Sequence, residues 1–225
     1  KTPLHDPFCG SGTFAIEPAL YAYNVAPGFG RRFALENLPI FNSRRAQEIR
    51  CAEAEKIRTD VEVRITGTDI DPVAVERARK NAEHACVMAG RALNLIDSSN
   101  KVPRPDFEVA DFAEITAPYA NGLLICNPPY GERLGDAEQA EEIYRKMACL
   151  FDEFKGWKLG VITAHKKFQE CIGRYATTLK SLKAGNLDTT FYMYTGEEKQ
   201  KSHKSGGQNS EKNRGAKNGN RSRAR

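Results

Sequence analysis

Four short stretches carry residue types that could do chemistry. In Asp6-Pro7-Phe8-Cys9-Gly10-Ser11-Gly12-Thr13, two glycines two apart allow a tight turn and close approach of a ligand to the backbone. A helix behind the turn would offer free N–H groups. The stretch is not the dinucleotide pattern, and it lacks the Gly-Lys-Ser/Thr ending of a phosphate loop. Asp6 at its head would repel phosphate and attract ammonium, so the implied ligand is zwitterionic, such as an amino-acid moiety. In Thr66-Gly67-Thr68-Asp69-Ile70-Asp71-Pro72, Asp69 stands where an acidic residue commonly binds ribose hydroxyls. Ile70 would lie against a flat purine, and Asp71 beside Pro72 reads as a helix cap. In Val109-Ala110-Asp111-Phe112, Asp111 can accept from an exocyclic amine and Phe112 can flank its ring. The last is Asn127-Pro128-Pro129-Tyr130-Gly131, straight after the apolar run Gly122–Ile125 and Cys126. Proline fits badly inside a sheet, so this is a strand that stops abruptly and presents a rigid polar tip. An amino-acid end, a ribose, an adenine and a reactive tip together outline S-adenosylmethionine.

Those stretches need elements to position them. Strand and helix signals alternate. A short strand ends near His5, and a helix spans about Thr13 to Tyr23. Residues 24–42 read as irregular, and Ser43 can cap a helix to about Arg58. Val61 to Thr66 alternates like a strand, and Pro72 opens a helix to about Ala89. Strands are expected at Phe107–Val109, Gly122–Cys126 and Leu159–Thr163, with an amphipathic helix over 137–154 and another near 166–174. Leu179–Lys183 and Thr190–Tyr194 form a hairpin signal. The pattern is α/β: a mostly parallel, doubly wound sheet with helices on both faces and a C-terminal antiparallel hairpin. Ligands of such sheets sit at the carboxyl ends of the strands, where all four stretches fall.

The 225 residues suit one domain with a sizeable core. The net charge of +5 is unevenly placed. Residues 197–225 carry nine Lys/Arg against three Glu, which leaves 25 against 26 for the rest. That segment holds almost nothing apolar and cannot repay the entropy of ordering, so it reads as a disordered basic tail able to contact RNA phosphates. Residues 1–196 read as the catalytic domain. No apolar stretch approaches the roughly 20 residues that span a bilayer, so no membrane partner is expected. Six scattered cysteines without a CxxC pair argue against a zinc site and for a reducing, cytoplasmic compartment. No metal is expected.

The four motifs, in order, resemble those of Rossmann-like class I SAM-dependent methyltransferases that act on exocyclic amines. The longer strings, Asp6–Leu20, Asn127–Gly135 and the insertion Ala26–Glu36, are similar to the THUMP-associated RNA methyltransferase family. That family includes bacterial enzymes making guanine-N(2) methylations in large-subunit ribosomal RNA. The resemblance covers roughly residues 3–196. It implies S-adenosylmethionine as cofactor, held by Asp6, Phe8, Gly10, Gly12, Thr13, Asp69, Ile70, Asp111, Phe112 and Asn127. It implies ribosomal RNA as partner, and an upstream THUMP-type RNA-binding domain. Lys1 stands almost at the first strand, so the domain is expected to be N-terminally truncated. The family's segment over the methionine end would then be missing, and the isolated chain is expected to bind SAM weakly.

The tip suits this chemistry. An exocyclic amine is a weak nucleophile because its lone pair is delocalised into the ring. Two acceptors on its protons, the Asn127 side-chain oxygen and the Pro128 carbonyl, would localise and aim that pair, and the prolines fix the carbonyl beforehand. Tyr130 offers a face to a flipped base, worth about 1–3 kcal/mol. Asn127, Pro128 and Tyr130 are therefore the catalytic candidates. The same tip suits adenine-N(6) in DNA or a glutamine amide in protein. A nucleic-acid-binding module without catalysis is a further reading, against which the intact Asn127 and Asp69 speak. Cys126, on the opposite face from Asn127, and Cys9 read as structural. His165 beside Lys166 and Lys167 reads as a surface cluster, and Glu132, Arg133 and Leu134 as a loop over the base or a phosphate contact.

Overall fold

The computed structural model describes residues 2–29, 31–93, 102–131 and 136–196. Both the basic tail and the Glu132–Leu134 loop expected from the sequence lie outside these residues. The strands are β1 (Leu4–Asp6), β2 (Ile65–Asp69), β3 (Asp106–Val109), β4 (Leu123–Cys126), β5 (Lys158–Thr163), β6 (Thr178–Ala184) and β7 (Leu187–Tyr194). They form one sheet in the order β3-β2-β1-β4-β5-β7-β6. The first five run parallel, and β7 runs antiparallel to both β5 and β6. The strand order reverses between β1 and β4, which opens a crevice at their carboxyl ends. The expected α/β architecture and its terminal hairpin are both present.

The helices are α1 (Thr13–Ala22), α2 (Ser43–Ala54), α3 (Pro72–Leu93), α4 (Asp136–Lys146), α5 (Leu150–Glu153) and α6 (Phe168–Ile172). The sheet separates two cores, and alternate residues of β4 feed both. Leu4, Ile65 and Phe107 pack with α1 and α3 residues such as Ile16, Val75 and Ala78. Leu124, Leu159, Val161 and Tyr192 pack on the other face with Tyr144, Met147 and Phe168. His5 is buried between Thr66 and Thr68, 2.7 and 3.2 Å from their hydroxyls, and burial lowers its pKa to about 4. It is therefore a neutral staple between β1 and β2.

Several boundaries differ from the sequence reading. Asn42, whose side chain accepts from Arg45 N–H, caps α2 in place of Ser43, α2 ends at Ala54 rather than near Arg58, and α3 runs on to Leu93. The strand expected over Val61–Thr66 begins at Ile65, because β1 and β3 supply ladder partners only from Ile65 onward; Val61 is instead a buried anchor ahead of it. The helix expected over 137–154 breaks into α4, a 3-10 turn at Met147–Cys149, and α5. The tighter turn brings residues three apart onto one line, and Met147 and Leu150 are both fully buried. The irregular segment 24–42 contains one 3-10 turn at Ala34–Asn37.

Candidate active site

The loop after β1 wraps over the end of β2. Cys9 N–H donates to the Thr68 carbonyl at 2.9 Å, and Gly12 N–H to the Cys9 carbonyl at 2.7 Å. This close approach is why Gly67 has no side chain: a Cβ there would meet Cys9 Cβ at 2.8 Å and the Phe107 ring at 2.9 Å. Gly12, at φ +87°, starts α1 in the left-handed region, and a Cβ would crowd Phe107, Ala78 and Ile16. Cys9 is buried and its thiol is pushed up to about 12, which makes it inert.

Asp6 is 1% exposed. Its Oδ1 accepts from Phe8 N–H at 3.0 Å, while Oδ2 is buried with no protein partner. Burial pushes the carboxyl up to about 7; the Phe8 N–H opposes this and the Asp69 charge adds to it. A buried acceptor left unpaired is costly, and it fits an incoming ammonium group. Asp69 accepts on both oxygens, from Gly10 N–H at 2.9 Å and from Asp71 N–H at 3.0 Å. These bonds orient the carboxylate and leave lone pairs for hydroxyls. Asp71 accepts from Val73 N–H at 2.9 Å, so it caps α3 as expected.

Phe8 and Phe112 pack on each other, ring centroids 4.8 Å apart. Asp111 accepts from Ala113 N–H at 2.9 Å in a tight turn after β3. Ile70 is 70% exposed, and Thr13 opens α1 within 3.3 Å of the Ser11 hydroxyl. At the end of β4, Asn127 is exposed, Pro128 buried and Tyr130 half-buried. The Tyr130 hydroxyl donates to Asn127 Oδ1. Cys126 is fully buried in the core beneath, with its thiol pushed well up. All the expected residues thus lie along one edge of the sheet. Direct bonds join Asp69 to Gly10 and Asn127 to Tyr130, and ring packing joins Phe8 to Phe112.

Two residues at this edge were not singled out from the sequence. Tyr144, on α4, donates from its hydroxyl to the Pro129 carbonyl at 2.5 Å and lies 3.2 Å from Thr163 Oγ1. Both are buried. Thr163 closes β5, so reading the residue that ends every strand would have found it. Tyr144 carries no such signal, since its spacing is that of an ordinary core residue. His165 also departs from the surface-cluster reading: its side chain is only 14% exposed, against the Tyr144 ring, with Nε2 3.7 Å from Glu141. Among the described residues no group of three or more His, Cys, Asp or Glu could hold a metal, and no helix is long and apolar enough to cross a membrane.

The RMKL-like methyltransferase domain description (UPF0020) matches residues 1–193. The chain is 35% identical over 192 residues to "Putative RNA methyltransferase YpsC" of Bacillus subtilis, covering 85% of this chain and 46% of that protein. It is 37% identical over 199 residues to the ribosomal RNA large subunit methyltransferase K/L of Shewanella baltica, covering 85% of this chain and 26% of that one. Among solved structures, "SMU.472, a putative methyltransferase complexed with SAH" superposes with a TM-score of 0.72 at 32% identity, over 89% of this chain and 49% of that one. A structure from Listeria monocytogenes, described as a predicted N6-adenine-specific DNA methylase, superposes with a TM-score of 0.69 at 31% identity, over 86% and 46%. The chain spans less than half the length of each of these relatives. With the fold, the ordered motifs and these matches in agreement, the chain belongs to the RMKL-like methyltransferase domain family.

Proposed function

We propose that this domain binds S-adenosylmethionine along the carboxyl edge of β1, β2 and β3 and methylates an exocyclic amine held at the Asn127–Tyr130 tip, guanine-N(2) of large-subunit ribosomal RNA. The observation that carries the reading is the buried, unpartnered Asp6 oxygen at the end of β1, whose parallel neighbour β4 ends in the rigid tip. One accepts an ammonium group, and the other accepts amine protons. When bound, the cofactor supplies a methyl group already activated by its sulfonium. Asp6 receives the ammonium end, Asp69 the ribose hydroxyls, and Ile70, Asp111 and Phe112 the adenine, with Phe8, Gly10, Gly12 and Thr13 shaping the turn. Asn127 Oδ1 and the Pro128 carbonyl accept the two protons of the target amine and concentrate its lone pair. The Tyr130 ring stacks on the extruded base, and its hydroxyl must release Asn127 Oδ1 as the amine arrives. The proton lost from the methylated amine passes to water. Much of the remaining catalysis is orientation and proximity.

The RNA substrate is supported by the names of the Bacillus and Shewanella relatives, and with it a cytoplasmic location. A further RNA-binding domain of THUMP type in the whole protein fits the small share of those relatives that this chain spans. The description of the Listeria structure favours a second reading, adenine-N(6) methylation of DNA. The test uses the full-length gene product with tritiated cofactor and ribosomal RNA from cells lacking the gene. Digestion to nucleosides should give label in N(2)-methylguanosine, and Asn127→Ala should remove at least a hundredfold of it, the scale of losing one preorganised polar group. Label in DNA methyladenine or a protein glutamine instead would overturn the substrate. Full activity in Asn127→Ala would overturn the role of the tip.

A further inference from the structure

We propose that Tyr144 is a positioning residue for the amine-accepting tip, acting through a buried relay that runs from His165 N–H through Thr163 and Tyr144 to the Pro129 carbonyl. The inference rests on the reading of the tip given above. The direction of the relay follows from valence alone. The His165 backbone N–H can only donate, and it lies 3.1 Å from Thr163 Oγ1. The Pro129 carbonyl can only accept, and Tyr144 Oη lies 2.5 Å from it. Thr163 therefore spends its one proton on Tyr144 Oη, 3.2 Å away, and Tyr144 spends its own on Pro129. Burial pushes the Tyr144 phenol above its ordinary value, so it remains a donor. Both hydroxyls of the relay, those of Thr163 and Tyr144, have a partner for their proton, and such connected bonds reinforce one another.

Of the backbone torsions between Asn127 and the Pro129 carbonyl, this bond fixes the least restricted. Asn127 and Pro128 each precede a proline, which confines them to extended conformations. The rings of Pro128 and Pro129 fix φ at both. That leaves ψ of Pro129, which aims its carbonyl and swings the Tyr130 ring and hydroxyl relative to Asn127. Tyr144 holds that carbonyl. Its own ring is held in turn, edge-on to Phe168 at 5.0 Å and to His165 at 5.3 Å, with Phe168 fully buried. A hydroxyl that served only to satisfy itself in the core could have stopped at Thr163. This one reaches out to the carbonyl of an exposed proline.

The test compares Tyr144→Phe, Thr163→Val and Thr163→Ser in the full-length protein, on whichever substrate the tritium assay labels. Tyr144→Phe keeps the ring and deletes the donor. We expect kcat to fall about tenfold to a hundredfold, the scale of a misplacement of about 1 Å. The SAH dissociation constant should stay within about twofold. Thr163→Val should fall in the same direction by less, because Tyr144 can still donate to Pro129, and Thr163→Ser should recover most of the rate. Wild-type kcat in Tyr144→Phe would overturn the proposal. A parallel loss of SAH affinity would also do so, because it would mark a general structural defect. The proposal fails alone if Asn127→Ala is inactive while Tyr144→Phe is not. If Asn127→Ala is active, the reading of the tip fails.

Discussion

The two halves of the site are held together by different means. On the β1–β2 side the loop is tied by backbone N–H groups donating to carboxylates: Phe8 to Asp6, and Gly10 and Asp71 to Asp69. On the β4–β5 side the tip is tied by neutral hydroxyls, Tyr130 on Asn127 and Tyr144 on Pro129. The first half gathers negative charge at the edge of the sheet and leaves one buried oxygen without a partner. The second half carries no charge among these hydroxyls and leaves none of them unmatched, and among the described residues its one buried side-chain atom without a protein partner is His165 Nδ1, a ring nitrogen rather than a carboxylate oxygen. A charged cofactor needs charged acceptors that a cation or hydroxyls can complete. A neutral amine needs acceptors of fixed position, and a charge beside it would compete for its protons.

If the halves are separable, breaking one should spare the other. Asp69→Ala removes the acceptor of two backbone N–H groups and the site for ribose hydroxyls. Hydrogen bonds to a charged group are worth about 1.5–3 kcal/mol each, so SAH affinity should fall on the order of a hundredfold. At saturating cofactor, kcat should change by less than about threefold. Calorimetry and single-turnover rates measure the two separately. Unchanged affinity would remove Asp69 from the cofactor half, and an equal fall in kcat would dissolve the division itself.

A smaller effect sharpens the role of Asp6. Its carboxyl titrates near 7 in the free protein, raised by burial. The ammonium end of the cofactor binds the carboxylate form. Below pH 7 that form must first be made by releasing a proton, so SAH affinity should fall toward about tenfold per unit as pH drops below 7. The sign for folding is the reverse. A raised carboxyl pKa means that the free protein gains stability as pH falls from 7 toward its ordinary value of 3.8. Titrations in two buffers of different ionisation heat should show about one proton released per SAH bound at pH 6. Affinity flat from pH 6 to 7.5 would place the ammonium elsewhere, and Asp6→Asn should flatten the profile if the assignment is right.

Much of this division was legible in the sequence, because each motif is contiguous and follows a strand. Asp6, Gly12, Asp69 and Asn127 could be placed at one edge from the βα alternation alone. What was not legible is how the motifs hold each other. The Gly10–Asp69 bond joins residues 59 apart, and Tyr144 lies 15 residues beyond Pro129 on a helix whose spacing reads only as apolar. The start of β2 was misplaced for a related reason. Val61 and Val63 alternate like a strand, but a ladder needs neighbours, and those begin at Ile65.

The smallest predicted effect tests the two acids at the end of β2, which the sequence already reads as a ribose acceptor, Asp69, and a helix cap, Asp71. Asp71 caps α3 through Val73 N–H, and its contact with Asp69 is made by its own backbone N–H. Asp71→Ala deletes the cap and keeps that N–H. It should cost about 1 kcal/mol of stability, typical of a lost N-cap, and leave SAH affinity within about twofold. Thermal unfolding and calorimetry on the same sample read both quantities. A large loss of affinity with stability intact would exchange the roles of the two acids. The cofactor half would then be organised around the helix start, with Asp69 reduced to a tie between the β1 and β2 loops.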